Sequence, residues 1–261
     1  MMRRILCTGW LVLLAATASG QTPSPAPQGP TAGRAAPVPD EAAARARAQQ
    51  ARLLNDWPNL ARYRDQNAQL APPAPGEARV VFYGDSITDG WGRVQGAFFP
   101  GKPYVNRGIS GQTTPQMLVR FRQDVVALKP EVVVILAGTN DIAGNTGPST
   151  PEMIQDNFKS MVDIAKANDI RVVLASVLPA SDYPWKPGLD PGPKIVALNT
   201  WLKQHAADRD LVYLDYYSAV ADGKLGMKPE LASDGVHPTK AGYDIMAPLA
   251  DRAIADARRK R

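Results

Sequence analysis

The chain has 261 residues, 44% of them hydrophobic and 21% charged, ordinary proportions for a soluble globular protein able to bury a core of its own. Its net charge of +5 is scattered, dense only at Arg3-Arg4 and Arg258-Arg259-Lys260-Arg261, and no aromatic-basic recognition motif accompanies it, so nucleic acid is not an expected partner. One cysteine and two histidines exclude a disulfide framework and a dedicated transition-metal site, and no cofactor is expected.

Residues 1–20 read as a signal peptide. Arg3 and Arg4 open it, Ile5 to Ala16 is largely apolar, and small residues follow at Ala16-Thr17-Ala18 and Ala18-Ser19-Gly20. The apolar run is short for a membrane span, so cleavage after Ala18 or Gly20 is expected, with an uncleaved anchor as the competing reading. Cleavage removes Cys7, the sole cysteine, and sends the chain to the periplasm or the medium with no stable membrane span. Residues 21–39, rich in Pro and Ala, read as a linker.

Residues 40–75 read as a helical extension. Asp40 can cap a helix running towards Asn55, and Trp57, Leu60, Tyr63 and Leu70 supply apolar side chains before a Pro-rich stretch at 71–76. The remainder, 76–261, alternates strand and helix. Strands are predicted at Val80–Tyr83, Tyr104–Arg107, Glu131–Ala137, Arg171–Leu178 and Leu211–Asp215. Helices are predicted at Thr114–Leu128, Pro151–Ala167, Lys194–Ala207 and Thr239–Arg258. Such alternation predicts a parallel sheet covered on both faces.

Four blocks fall at or after these elements: Gly84-Asp85-Ser86, Asn106-Arg107-Gly108-Ile109-Ser110-Gly111, Gly138-Thr139-Asn140-Asp141 and Asp234-Gly235-Val236-His237. Carboxyl ends of parallel strands share one edge, so residues distant in sequence can meet there. Ester cleavage by a serine needs a base, a group to orient the base, and donors for the oxyanion. Of the two histidines, His205 lies inside a predicted helix and reads as a surface or boundary residue. His237 lies in a loop, three residues after Asp234, near enough for the carboxylate to hold the imidazole. Asp234-Gly235 also reads as a turn, and the two readings are compatible. Asn140 can donate its amide without titrating, although Asn-Asp on its own reads as a turn. Gly108 allows a close approach to a backbone N–H, or marks a turn.

The blocks, in this order, resemble the SGNH (GDSL) hydrolase family over roughly Arg79 to Leu249, most like its single-domain bacterial esterases and platelet-activating-factor acetylhydrolase-like members. The resemblance implies a flavodoxin-like three-layer α/β/α sandwich with a mostly parallel five-stranded sheet. It also implies a metal-free esterase: Ser86 as nucleophile, His237 as base, Asp234 orienting it, and Gly108 and Asn140 joining the Ser86 N–H as oxyanion hole. No Gly-x-Ser-x-Gly surrounds Ser86, unlike the nucleophile elbow of the α/β-hydrolases.

For the substrate, Asp85 and the aromatic residues Trp91 and Trp185 are candidate contacts, Trp91 shortly after the serine and Trp185 in a Pro/Gly-rich loop. With no long apolar lid segment, the expected substrate is a small-molecule or carbohydrate O-acyl ester, short-chain and most simply O-acetyl. The alternatives are a lysophospholipase or thioesterase, an O-acyltransferase to an envelope sugar, and a non-catalytic glycan-binding protein. Oligomeric state is not encoded in any motif.

Overall fold

In the computed structural model, which describes residues 39–260, five strands form one sheet in the order β2-β1-β3-β4-β5. They are β1 (Val80–Gly84), β2 (Tyr104–Gly108), β3 (Val132–Leu136), β4 (Arg171–Ala175) and β5 (Val212–Leu214). Every pairing is parallel. This is the flavodoxin-like strand order, whose ligand crevice lies at the carboxyl ends where the order reverses, between β1 and its neighbours. Register brings Gly84 level with Gly108 on one side and Leu136 on the other, so three strand ends stop in line.

Alternation along the strands creates two cores. Val81, Tyr83, Val133 and Ile135 face α4 (Thr114–Asp124), α6 (Pro151–Lys166) and α7 (Pro191–Asp208), whose Met117, Phe121, Phe158, Met161 and Leu202 are buried against them. Val80, Phe82, Val132 and Val134 face α3 (Ser86–Gln95) and α9 (Lys240–Arg259) through Ile87, Trp91, Tyr243, Met246 and Ile254. Each such side chain contributes about 1.5–3 kcal/mol by leaving water. The three-layer α/β/α sandwich expected from the sequence is the fold observed.

Several elements depart from their expected limits. The helix predicted over 114–128 breaks at Val125, and Val126–Leu128 continues as a 3-10 turn. Strand β4 stops at Ala175 because the Asn199 carboxamide takes both main-chain groups of Val177, at 2.8 and 2.9 Å. Helix α3 begins at Ser86 itself, where no helix was predicted. Short helices also occur at α2 (Arg64–Gln69), α5 (Thr139–Ile142) and α8 (Tyr217–Val220).

The first described helix, α1 (Pro39–Asn55), carries the Ala- and Arg-rich stretch. Ala46–Arg261 form one compact unit, which includes residues 56–75 of the expected extension. The expected signal peptide, 1–20, and all but the last residue of the expected linker lie outside the described residues. Among the described residues no helix is long and apolar enough to cross a membrane.

Candidate active site

Strand β1 runs straight into α3 through Gly84 and Asp85. Gly84 is required here by close packing: a Cβ would sit 2.2 Å from Thr88 Oγ1 and 2.7 Å from the Leu136 carbonyl oxygen. Asp85 is the N-cap of α3, its carboxylate accepting the Ile87 N–H at 3.0 Å. Ser86 is therefore the first residue of a helix, half-buried, with its side chain at the sheet edge.

The Ser86 hydroxyl lies 2.9 Å from His237 Nε2. His237 Nδ1 lies 2.7 Å from Asp234 Oδ2. The other oxygen, Oδ1, accepts the N–H groups of Val236 at 3.0 Å and His237 at 2.8 Å, closing a turn in which Gly235 has φ +84°. Turn and imidazole partner are thus one structure: each oxygen of Asp234 serves one purpose. Partial burial pushes the Asp234 carboxyl up, but the His237 and Val236 bonds and the imidazole together hold it below its ordinary value. The loop is closed behind by Ser233 N–H and Oγ on the His237 carbonyl, at 2.8 and 3.1 Å.

Asn140 enters from the end of β3, on α5, and is buried. Its Oδ1 accepts from Asn145 Nδ2 at 2.7 Å, which fixes the amide's orientation. Its Nδ2 donates to the Gln112 carbonyl at 3.0 Å and makes only a 3.4 Å contact with Asp85 Oδ2. The next residue, Asp141, joins α5 to α4 by accepting from the Thr114 N–H and hydroxyl, at 3.0 and 2.6 Å.

Three sequence expectations need correction. Gly108 does not offer its N–H to the space beside Ser86: that N–H donates to Asn106 Oδ1 at 2.9 Å, and its carbonyl accepts from the Tyr63 hydroxyl. Gly108 is instead a packing glycine, since a Cβ would lie 2.1 Å from the Asp89 nitrogen at the start of α3. Trp91 is only 1% exposed, packed edge-on to Phe82 and tilted on Phe99 and Tyr243, with its N–H on Gln95 Oε1; it belongs to the core. Asp85 is fully buried and cannot touch substrate from its cap position.

Gly111 escaped the sequence reading. It lies three residues beyond Gly108 on the same loop, exposed, with φ +80° and open space where a Cβ would project. Its carbonyl is 3.5 Å from Asn145 Nδ2, and the neighbouring Gln112 carbonyl is the one held by Asn140. The usable signal was the left-handed conformation that a Ser-Gly pair after a strand favours.

Trp185 is 42% exposed and 6.0 Å from the His237 ring. One face is stacked on the buried Tyr183 at 4.9 Å and 19°, and its N–H donates to Asn145 Oδ1 at 3.2 Å. His205 is on α7, stacked flat on Trp201 at 4.8 Å and away from these residues' hydrogen bonds. Among the described residues no group of three or more His, Cys, Asp or Glu is placed to hold a metal ion.

Residues 82–245 match the GDSL-like lipase/acylhydrolase family. A GDSL-like lipase of Bacteroides thetaiotaomicron superposes with a TM-score of 0.75 at 45% identity, over 77% of this chain and 100% of the other. A Bacteroides fragilis acylhydrolase candidate superposes with a TM-score of 0.76 at 47% identity, over 78% and 99%. An acetylxylan esterase of Geobacillus stearothermophilus is 28% identical, over 65% of this chain and 90% of its own.

Proposed function

The chain belongs to the GDSL-like lipase/acylhydrolase family and is a carboxylic ester hydrolase, and on that premise we propose that it cleaves short-chain O-acyl esters, O-acetyl groups on sugars above all, through an acyl-enzyme at Ser86. The observation that carries this reading is the relay of Ser86 Oγ, His237 and Asp234 at 2.9 and 2.7 Å, both within range for proton transfer.

His237 Nε2 takes the hydroxyl proton as Ser86 Oγ attacks the ester carbonyl. Asp234 holds the imidazole tautomer and offsets the imidazolium charge. The oxyanion then falls to the Ser86 N–H, the Gly111 N–H and the Asn140 amide, whose second hydrogen is spent only on the long contact to Asp85. Each such donor is worth about 10²–10³ in rate. His237 returns its proton to the leaving alcohol, then activates a water that attacks the acyl-enzyme and releases the acid. Reassigning the glycine donor from Gly108 to Gly111 follows from the bonds that already occupy Gly108.

Two features support the substrate reading. The leaving alcohol must lie on the His237 side, where Trp185 offers a ring held flat by Tyr183 and Asn145. A pyranose stacked there would present its acetyl group to Ser86. The similarity to an acetylxylan esterase points to the same chemistry. The N-terminal pattern of residues 1–20 supports export, which N-terminal sequencing of the protein recovered outside the cytoplasm would test.

Ser86→Ala and His237→Ala should each abolish turnover of acetylated xylo-oligosaccharides with the far-ultraviolet spectrum unchanged. A fluorophosphonate should label the parent at Ser86. Turnover surviving in both variants rejects the assignment.

A further inference from the structure

Residues 56–70 precede the stretch that matches the family, yet they reach its chemistry. Asp56 folds this segment on itself, its carboxylate accepting the N–H groups of Leu60 at 2.7 Å and Ala61 at 2.9 Å. From that turn the chain grips the loop Gly108–Gln112 at both ends. The Tyr63 hydroxyl donates to the Gly108 carbonyl. The Pro58 carbonyl accepts from Gln112 Nε2 at 2.6 Å. Between the two grips hangs Gly111.

Both grips are stiff. Tyr63 is 5% exposed, and the guanidinium groups of Arg62 and Arg107 each lie over its ring, 4.7 Å from the centroid. Gln112 is held at its other side-chain atom too, Oε1 accepting from Arg120 Nε at 2.5 Å, and its main-chain oxygen is the acceptor for Asn140. Arg120, fully buried, also donates to the carbonyls of Gly84 at 3.0 Å and Arg107 at 2.9 Å, tying the loop to the strand that delivers Ser86.

We propose that residues 56–63 are a positioning strap of the active site, with Tyr63 and Pro58 setting where the Gly111 N–H and the Asn140 amide stand relative to Ser86. The proposal rests on the acyl-enzyme reading above. Donors placed for an oxyanion lose their effect when displaced by a fraction of an ångström, and misplacements of about 1 Å cost up to 10²-fold in rate. The strap acts on the transition state, in which the oxyanion exists, and hardly on the bound ester.

The test is Tyr63→Phe, which removes the hydroxyl and leaves the ring and its two arginine contacts. Its kcat on an acetyl ester should fall about tenfold, with KM within roughly twofold, and the fluorophosphonate should label Ser86 correspondingly more slowly. Gln112→Glu, which keeps an acceptor for Arg120 but loses the donor to Pro58, should do the same. Tyr104→Phe removes a hydroxyl from the opposite end of the same strand, where it faces Asp251, and should leave kcat at the parent value. Parent-like kcat and labelling rate in folded Tyr63→Phe and Gln112→Glu, with only a lowered melting temperature, would overturn the proposal. Failure of the underlying acyl-enzyme reading looks different: the parent itself would resist labelling at Ser86.

Discussion

At the scale of single residues, Ser86 and His237 stand 151 positions apart in the chain yet 2.9 Å apart at the sheet edge. Ser86, Asn140, Asp234 and His237 stood out because few alternatives existed: the chain has two histidines, and one sits in a helix. Gly108 and Trp91 were misjudged for a shared reason. Whether a glycine N–H is free, or an indole buried, depends on neighbours contributed by remote segments: Asn106 and Tyr63 at Gly108, Tyr243 and Phe99 at Trp91. Trp185 allows a direct check of the substrate reading. An aromatic contact is worth about 0.5–1.5 kcal/mol. Trp185→Ala should therefore raise KM for an acetylated xylo-oligosaccharide roughly three- to tenfold while leaving kcat/KM on ethyl acetate within about twofold. Equal losses on both esters, or none on either, would remove Trp185 from the leaving-group subsite.

At the scale of elements, the five strands and the long helices were legible because their apolar periodicity is strong. Helix α3 was not, because Gly90 and Gly92 each cost about 1 kcal/mol of helix propensity. Packing reverses that cost. A Cβ at Gly92 would lie 3.0 Å from Phe98 Cβ, and one at Gly90 3.1 Å from the Tyr243 hydroxyl, so the glycines let α3 lie close to its neighbours. The junction of β2 with α3 is tighter still. In Gly108→Ala the new methyl would meet main-chain atoms of Thr88 and Asp89, which cannot swing aside. We expect a loss of about 3 kcal/mol or more in denaturant unfolding. Gly111→Ala meets nothing, and its positive φ alone should cost about 1–2 kcal/mol. Equal costs would mean that the junction yields more readily than its main-chain contacts imply.

At the scale of the whole molecule, two carboxyls beneath the site couple stability to pH. Burial raises Asp85 to about 7, against the Ile87 bond and the attraction of His237. Burial likewise raises Asp141 to about 6, against its bonds from Thr114. Both folded values lie above the ordinary carboxylate value, so the folded state holds protons the unfolded chain has released. The stability they contribute is full below about pH 4 and lost as pH rises through 6 and 7. Asp85→Asn keeps an acceptor for the Ile87 N–H and removes one titration, so its melting temperature should fall less between pH 5 and pH 8 than the parent's. Identical falls would show that Asp85 does not carry this dependence.

The carboxyl end of β2 has one more consequence. An edge strand normally leaves a row of main-chain groups able to recruit a strand from another chain. Here the Asn106 carboxamide occupies the Gly108 N–H, the Arg107 guanidinium takes the Asn106 carbonyl at 2.8 Å, and Tyr63 takes the Gly108 carbonyl. The bonds that shape the Gly108–Gln112 loop thereby close this end of the sheet's rim to β-augmentation. The sheet border that carries Ser86 is thus open without being sticky at this strand end.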